Sequence, residues 1–166
     1  MKIELKNVQF SERMSEETNS FVADIYVDGK KCGYCKNSGQ GGCTEYHSYP
    51  ENRDLFNKTE KWLLNQPDIN IGSVTDPYMV TCNMESKVDQ LFENWLNKKS
   101  EDRRKKKMLN HIMWGVPNGS SYTYVKLPKP IKDIPHIVLQ SYLNKLKGDF
   151  KEGQVFLNTN LGGLDL

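Results

Sequence analysis

Between Phe21 and Val27 the chain alternates Phe21, Ala23, Ile25 and Val27 with Val22, Asp24 and Tyr26, the period of a strand with one buried face. Asp28-Gly29 follows at once, the residue pair that accepts positive φ in a two-residue type I′ turn. A hairpin with so short a turn fixes its own register, pairing Val27 with Lys30, Ile25 with Cys32, Ala23 with Tyr34 and Val22 with Cys35. Cys32 then belongs to the inner face. Everything else in the chain has to pack around this hairpin.

The hairpin runs into Asn37-Ser38-Gly39-Gln40-Gly41-Gly42-Cys43-Thr44. Three glycines in four positions let the backbone turn tightly and aim successive N–H groups at one point, a nest suited to phosphate or carboxylate. No Gly-Lys-Ser/Thr ending follows, so neither a P-loop nor a dinucleotide fingerprint is present. Strand glycines also mark wide loops and bulges. The ligand reading assigns Gly39, Gly41 and Gly42, with Thr44, Tyr46 and His47 after them, to an anion site.

Upstream, Ile3 and Leu5 share one parity and Val8 and Phe10 the other, which predicts a first strand over 2–10 with a bulge near Asn7. Strands near 2–10, 21–28 and 30–36 form an antiparallel meander, with a fourth at 43–47. Pro50-Glu51-Asn52 opens a helix whose stripe is Leu55, Phe56, Thr59, Trp62 and Leu63, ending before Pro67. Residues 67–83 read as an irregular connector, extended near Tyr78-Met79-Val80, between an N-terminal half (1–66) and a C-terminal half (84–166).

Met84, Val88, Leu91, Phe92, Trp95 and Leu96 form a second helical stripe. The run Lys98–Lys107, KKSEDRRKKK, follows either as a helical extension or as a new turn capped by Ser100. After the Pro117-Asn118-Gly119 turn, 120–127 alternates as a strand with Tyr122, Tyr124 and Lys126 on one face and Thr123, Val125 and Leu127 on the other. Asp133 and Pro135 start a third helix with a broad apolar face of Ile137, Val138, Leu139, Tyr142, Leu143 and Leu146, which Gly148 ends. A short strand at 155–157 precedes a tail whose leucines fold back on the chain or dock on another subunit. The expected fold is α+β: an antiparallel β-meander with about three packed helices, two α/β halves in one compact domain.

Composition narrows the function classes. A formal charge of +2 over 166 residues announces no nucleic-acid binder by itself, although Lys98–Lys107 concentrates seven basic residues against two acidic ones. MKIELKN reaches polar residues before any leader-like apolar core, and no run spans a bilayer, so a cytoplasmic protein with reduced cysteines is expected. The opening MKIELKNVQFSERMSEETNSFVADIYVDGKKCGYCKNSGQGGCTEYH, with LNTNL near the end, resembles a group of small proteins from bacterial and bacteriophage genomes. That resemblance implies an accessory or host-interaction role and carries no functional residue with it.

Catalytic and metal sets are not expected. Cys32 and Cys35, three apart on a strand, project from opposite faces unless Gly33 bulges, so no zinc knuckle forms with Cys43 and His47. Cys43 and His47 lie roughly 13 Å apart along one strand, beyond the reach of a nucleophile and its base. His111 and His136 read as structural.

Tyr122 and Tyr124 beside Lys126 make a platform where a base stacks while a cation neutralises its phosphate, and Arg103, Arg104 and Lys107 gather phosphates at helical spacing. The chain therefore reads as a non-enzymatic, cofactor-free, self-associating binder of a small phosphorylated or nucleotide-like ligand, in a phage setting one that sequesters a host immune signalling nucleotide. The alternatives are a nucleic-acid binder using residues 98–107 and a protein inhibitor of a host factor.

Overall fold

The computed structural model describes residues 1–73, 75–117, 119 and 121–164. The fold is α+β, with a four-stranded antiparallel sheet, two smaller sheets and three α-helices among those residues. By packing, the chain divides into Met1–Leu96 and Asn97–Leu166. The division falls inside a helix rather than in the 67–83 connector, because residues 84–96 bury their stripe in the core of the first unit.

In the first unit β1 (Ile3–Phe10), β2 (Phe21–Val27), β3 (Lys30–Asn37) and β4 (Glu45–Ser48) pair in sequence order. The bulge expected near Asn7 is present: Asn7 has φ +52° and the β1–β2 register slips between Lys6 and Gln9. Asp28 and Gly29 both take positive φ, 47° and 83°, as the two-residue turn requires. The hairpin register holds only for its first pairs, Val27 with Lys30 and Tyr26 with Lys31.

Beyond those pairs Ile25 faces Gly33, Ala23 faces Cys35 and Val22 faces Lys36, not Cys32, Tyr34 and Cys35. One extra residue at Cys32 causes the shift, and the bulge turns both Cys32 and Cys35 into the core. Next to the bulge, Gly33 packs tightly against its neighbours. A Cβ on it would lie 2.2 Å from the His47 carbonyl oxygen of β4 and 3.1 Å from the Phe56 ring.

After a 3-10 turn at Pro50–Asn52, α1 (Arg53–Leu63) buries Phe56, Thr59 and Leu63. Thr59 satisfies its buried hydroxyl by donating to the Leu55 carbonyl at 2.8 Å. The connector holds two short strands, β5 (Ile69–Asn70) and β6 (Met79–Val80), paired antiparallel.

Next, α2 (Met84–Met108) starts from a reciprocal cap. Ser86 N–H donates to the Asn83 side-chain oxygen at 2.9 Å, while Asn83 N–H donates to Ser86 Oγ at 3.0 Å. Met84, Val88 and Phe92 are buried, and the Phe92 ring stacks on Phe21 with centroids 3.9 Å apart. Full burial of such a ring contributes about 1.5–3 kcal/mol. The helix runs unbroken through Ser100, so the basic run is its extension.

The second unit comprises the last turns of α2, the three-stranded antiparallel sheet β8-β7-β9 and α3. Its strands are β7 (His111–Gly115), β8 (Thr123–Lys126) and β9 (Val155–Phe156), and α3 spans His136–Lys147. Pro135 is the N-cap of α3 rather than part of its first turn. The core is Ile112, Trp114, Leu127, Ile131, Leu139, Leu143 and Leu161.

The apolar face of α3 is narrower than its composition implies. Ile137 is 81% and Val138 56% exposed, because the buried stripe follows Leu139 and Leu143 and Ile137 lies roughly 200° round the helix from Leu139. Leu161 of the tail is buried in this unit's own core. Asn158 anchors the tail, accepting from Met113 N–H at 2.6 Å and donating to the His111 carbonyl at 2.8 Å. The expectations that touch Asn118, Ser120, Asp165 and Leu166 lie outside the described residues.

Candidate functional site

In the glycine segment, Gly39, Gly41 and Gly42 all take the left-handed conformation, with φ of 88°, 88° and 93°. The N–H groups of Gly39 and Gly41 and the Gly39 carbonyl are spent on the chain itself. The Gly39 carbonyl accepts from the N–H groups of Glu16, Glu17 and Thr18 at 2.8–3.2 Å, clamping the β1–β2 connection to the β3–β4 loop. Gly39 N–H donates to Asn37 Oδ1 at 2.9 Å, and Gly41 N–H donates to Thr18 Oγ1 at 3.3 Å. Asn37 also donates to Thr44 Oγ1, which donates to Asp89 at 2.6 Å.

The surroundings of this loop are acidic. A cavity of about 270 Å³ beside it is lined by Thr18, Asn37, Thr44, Glu85, Asp89 and Glu93 among others. Burial, with the neighbouring Glu85 and Glu93 charges, holds the Asp89 carboxyl above the usual carboxylate range despite the Thr44 hydrogen bond. An anion entering here meets three carboxylates.

The residues after the glycines do not converge either. Thr44 is buried, Tyr46 packs its ring 6.1 Å from Phe56, and His47 is exposed on the other face beside Glu45. Cys43 interacts with Glu85, whose hydrogen bond pushes the thiol up, opposite to what a nucleophile needs. Burial pushes the Cys35 thiol up to about 12. Among the described residues no three His, Cys, Asp or Glu side chains gather as metal ligands.

In the second unit, by contrast, cations and rings meet. Tyr122 and Tyr124 are 39% and 51% exposed, while Leu127 is buried and Val125 half-buried as the alternation implies; Thr123, on the same parity as those two, is exposed. Pairing of β7 with β8 sets His111 opposite Lys126 and Met113 opposite Tyr124. The Tyr122 and Tyr124 centroids are 6.2 Å apart with planes inclined by 53°. Lys107, at the end of α2, sets its ammonium 3.1 Å from the Tyr124 centroid and 5.8 Å from that of Tyr122, a cation–π arrangement.

His111 completes the cluster. Its ring meets Tyr124 edge-on at 5.6 Å. Nδ1 lies 2.9 Å from the Lys107 carbonyl oxygen and 2.6 Å from Asn110 Oδ1, which hold the ring in place beside Tyr124. Sequence reasoning treated His111 as structural. The cross-strand register with Lys126 was the signal that joins it to the tyrosine face. Arg103 and Arg104, both exposed, precede Lys107 by four and three residues and so share its side of the helix.

Charge is segregated between the units. Asn97–Leu166 carries 13 Lys and Arg against 6 Asp and Glu, a formal +7, whereas Met1–Leu96 carries 10 against 15, a formal −5; together these return the chain's +2. The low net charge of the whole conceals a strongly basic C-terminal unit. Among the described residues no helix is long and apolar enough to cross a membrane.

Comparison with protein-family models, with curated proteins and with solved structures finds no match for this chain.

Proposed function

We propose that this chain is a non-catalytic binder of nucleotide-bearing anions, and that its ligand is single-stranded nucleic acid held on the second unit. The observation that carries the reading is the Lys107–Tyr122–Tyr124 cluster at the end of an exposed basic helix in a unit of charge +7. An aromatic face accepts any base, at about 1–3 kcal/mol per stacked base, and a line of cations follows the phosphates. Both rings are partly exposed, which suits a strand passing across them. A cytoplasmic location, where the four free cysteines stay reduced, accompanies this reading.

The test is fluorescence anisotropy with labelled single- and double-stranded oligonucleotides, on wild type and on the Arg103→Glu, Arg104→Glu double variant. The reading expects a preference for the single strand and a loss of about tenfold or more in the variant. Equal affinity for both forms, unchanged by the charge reversal, sinks it.

A small nucleotide sequestered on the same face is the second reading, favoured by the way Lys107 and His111 meet round one ring, Tyr124. It requires saturable, stoichiometric binding of one mononucleotide, cyclic or linear, in calorimetry. Its signature is an affinity that does not grow when the ligand is lengthened.

A further inference from the structure

In the structure one face of Tyr124 is already covered. The Lys107 ammonium sits 3.1 Å from the ring centroid, which is where the atoms of a stacked base belong at about 3.5 Å. Base and ammonium compete for that face. The 6.2 Å between the two rings adds a second constraint. A base sandwiched between them needs about 7 Å and parallel planes, and these planes are inclined by 53°. Two bases stacked on each other, about 3.4 Å apart, do not reach both rings either.

The arrangement that satisfies both constraints is two consecutive bases pulled out of their mutual stack, one on each ring, as single-stranded RNA and DNA are held on aromatic sheet faces. Lys107 lies within reach of both rings, so once displaced from Tyr124 its flexible stem can carry the ammonium to the phosphate joining the two nucleotides.

Building on the single-strand reading above, we propose that Tyr122 and Tyr124 together form a two-nucleotide site, and that binding moves Lys107 from the Tyr124 ring to the internucleotide phosphate. The site's unit of recognition is then the dinucleotide step. A single nucleotide can occupy one ring but offers no bridging phosphate.

The experiment is a length series: thymidine 5′-monophosphate, the 5′-phosphorylated thymidine dinucleotide, and a thymidine oligomer of about eight nucleotides, within the span such sites take. Affinity is expected to jump about tenfold or more from the first to the second. Tyr122→Leu and Tyr124→Leu should each remove that jump while Tyr122→Phe and Tyr124→Phe, which keep the ring, preserve it. Circular dichroism confirms that each variant is folded.

A second readout follows the Lys107 ε-methylene protons by NMR. Their ring-current shift should be lost when the dinucleotide saturates the protein. Retention of that shift in the saturated complex, or a smooth gain with length that ignores both tyrosines, overturns the two-nucleotide site. Salt-dependent binding of the oligomer by the leucine variants at wild-type affinity overturns this inference and leaves the nucleic-acid reading standing. No binding of the oligomer by wild type overturns both.

Discussion

Gly39 and Gly42 differ in a way that tests whether the glycine segment is architecture. Both adopt left-handed φ, so alanine at either costs about 1–2 kcal/mol of backbone strain. At Gly42 that is the whole cost, because a Cβ there meets nothing within 4 Å. At Gly39 the added Cβ would lie 2.1 Å from the Met14 carbonyl oxygen and 2.8 Å from Ser20 Cβ. Overpacking of that kind adds about 1–3 kcal/mol. Any shift of the backbone also weakens the three N–H groups that converge on the Gly39 carbonyl.

Gly39→Ala should therefore cost about 2–5 kcal/mol and Gly42→Ala about 1–2 kcal/mol. For a unit of this size that separates their melting temperatures by on the order of 10 °C. Thermal and urea unfolding followed by far-UV circular dichroism reads the difference. Equal stability of the two variants would refute the reasoning. So would stabilisation of wild type by inorganic phosphate that Gly39→Ala abolishes, since a ligand cradle and not a clamp would then be at work.

Three further outcomes follow from the same geometry. Asp89→Asn should stabilise the protein at neutral pH by about 0.4–1 kcal/mol, the relief of two like-charge pairs one helical turn apart with Glu85 and Glu93. Because the folded-state pKa of Asp89 is raised, wild type gains stability as pH falls from neutral through that value, and urea midpoints for wild type and variant should converge on acidification. Asn158→Leu strands the buried Met113 N–H and should cost about 1–3 kcal/mol, read by the same unfolding curves. Leu161→Ala should cost about 2–5 kcal/mol, whereas a tail that mattered only for contacts with another molecule would leave the melting temperature unchanged.

Where sequence was a reliable guide, the governing interactions were local. The Asp28-Gly29 turn, the Asn7 bulge and the stripe of α1 each follow from a few adjacent residues, and the structure has all three. The Cys32 bulge lay outside what the turn alone fixes, and the room left only for glycine at Gly33 is set by His47 and Phe56 from other elements. Residues 84–96 pack with the first unit through contacts such as the stack of Phe92 on Phe21, a partner far off in sequence. In α3, Ile137 and Val138 were apolar enough to count as core, yet helical phase turns them outward.

For the candidate site, alternation sorts the residues into two faces and the apolar Val125 and Leu127 leave Tyr122 and Tyr124 for the outer one, and both tyrosines are exposed. What no single segment reveals is that α2 ends just where Lys107 meets those rings, or that β7 brings His111 beside them. The glycine cluster depends on contacts from outside its own segment. Left-handed glycines make an anion nest only when their N–H groups are free to point at a ligand, and Asn37 and Thr18 take up those of Gly39 and Gly41.

The most direct measurement of the central claim is the slope of log affinity against log salt for a single-stranded thymidine oligomer. Arg103, Arg104, Lys107 and Lys126 are four cations set around the tyrosine face and the helix that leads to it. At roughly 0.7 per neutralised phosphate they give a slope near −3, and Arg103→Glu with Arg104→Glu should bring it to about −1.5 or shallower. A slope near zero, or one that the double charge reversal leaves untouched, would contradict the claim that the C-terminal unit grips nucleic acid through this face.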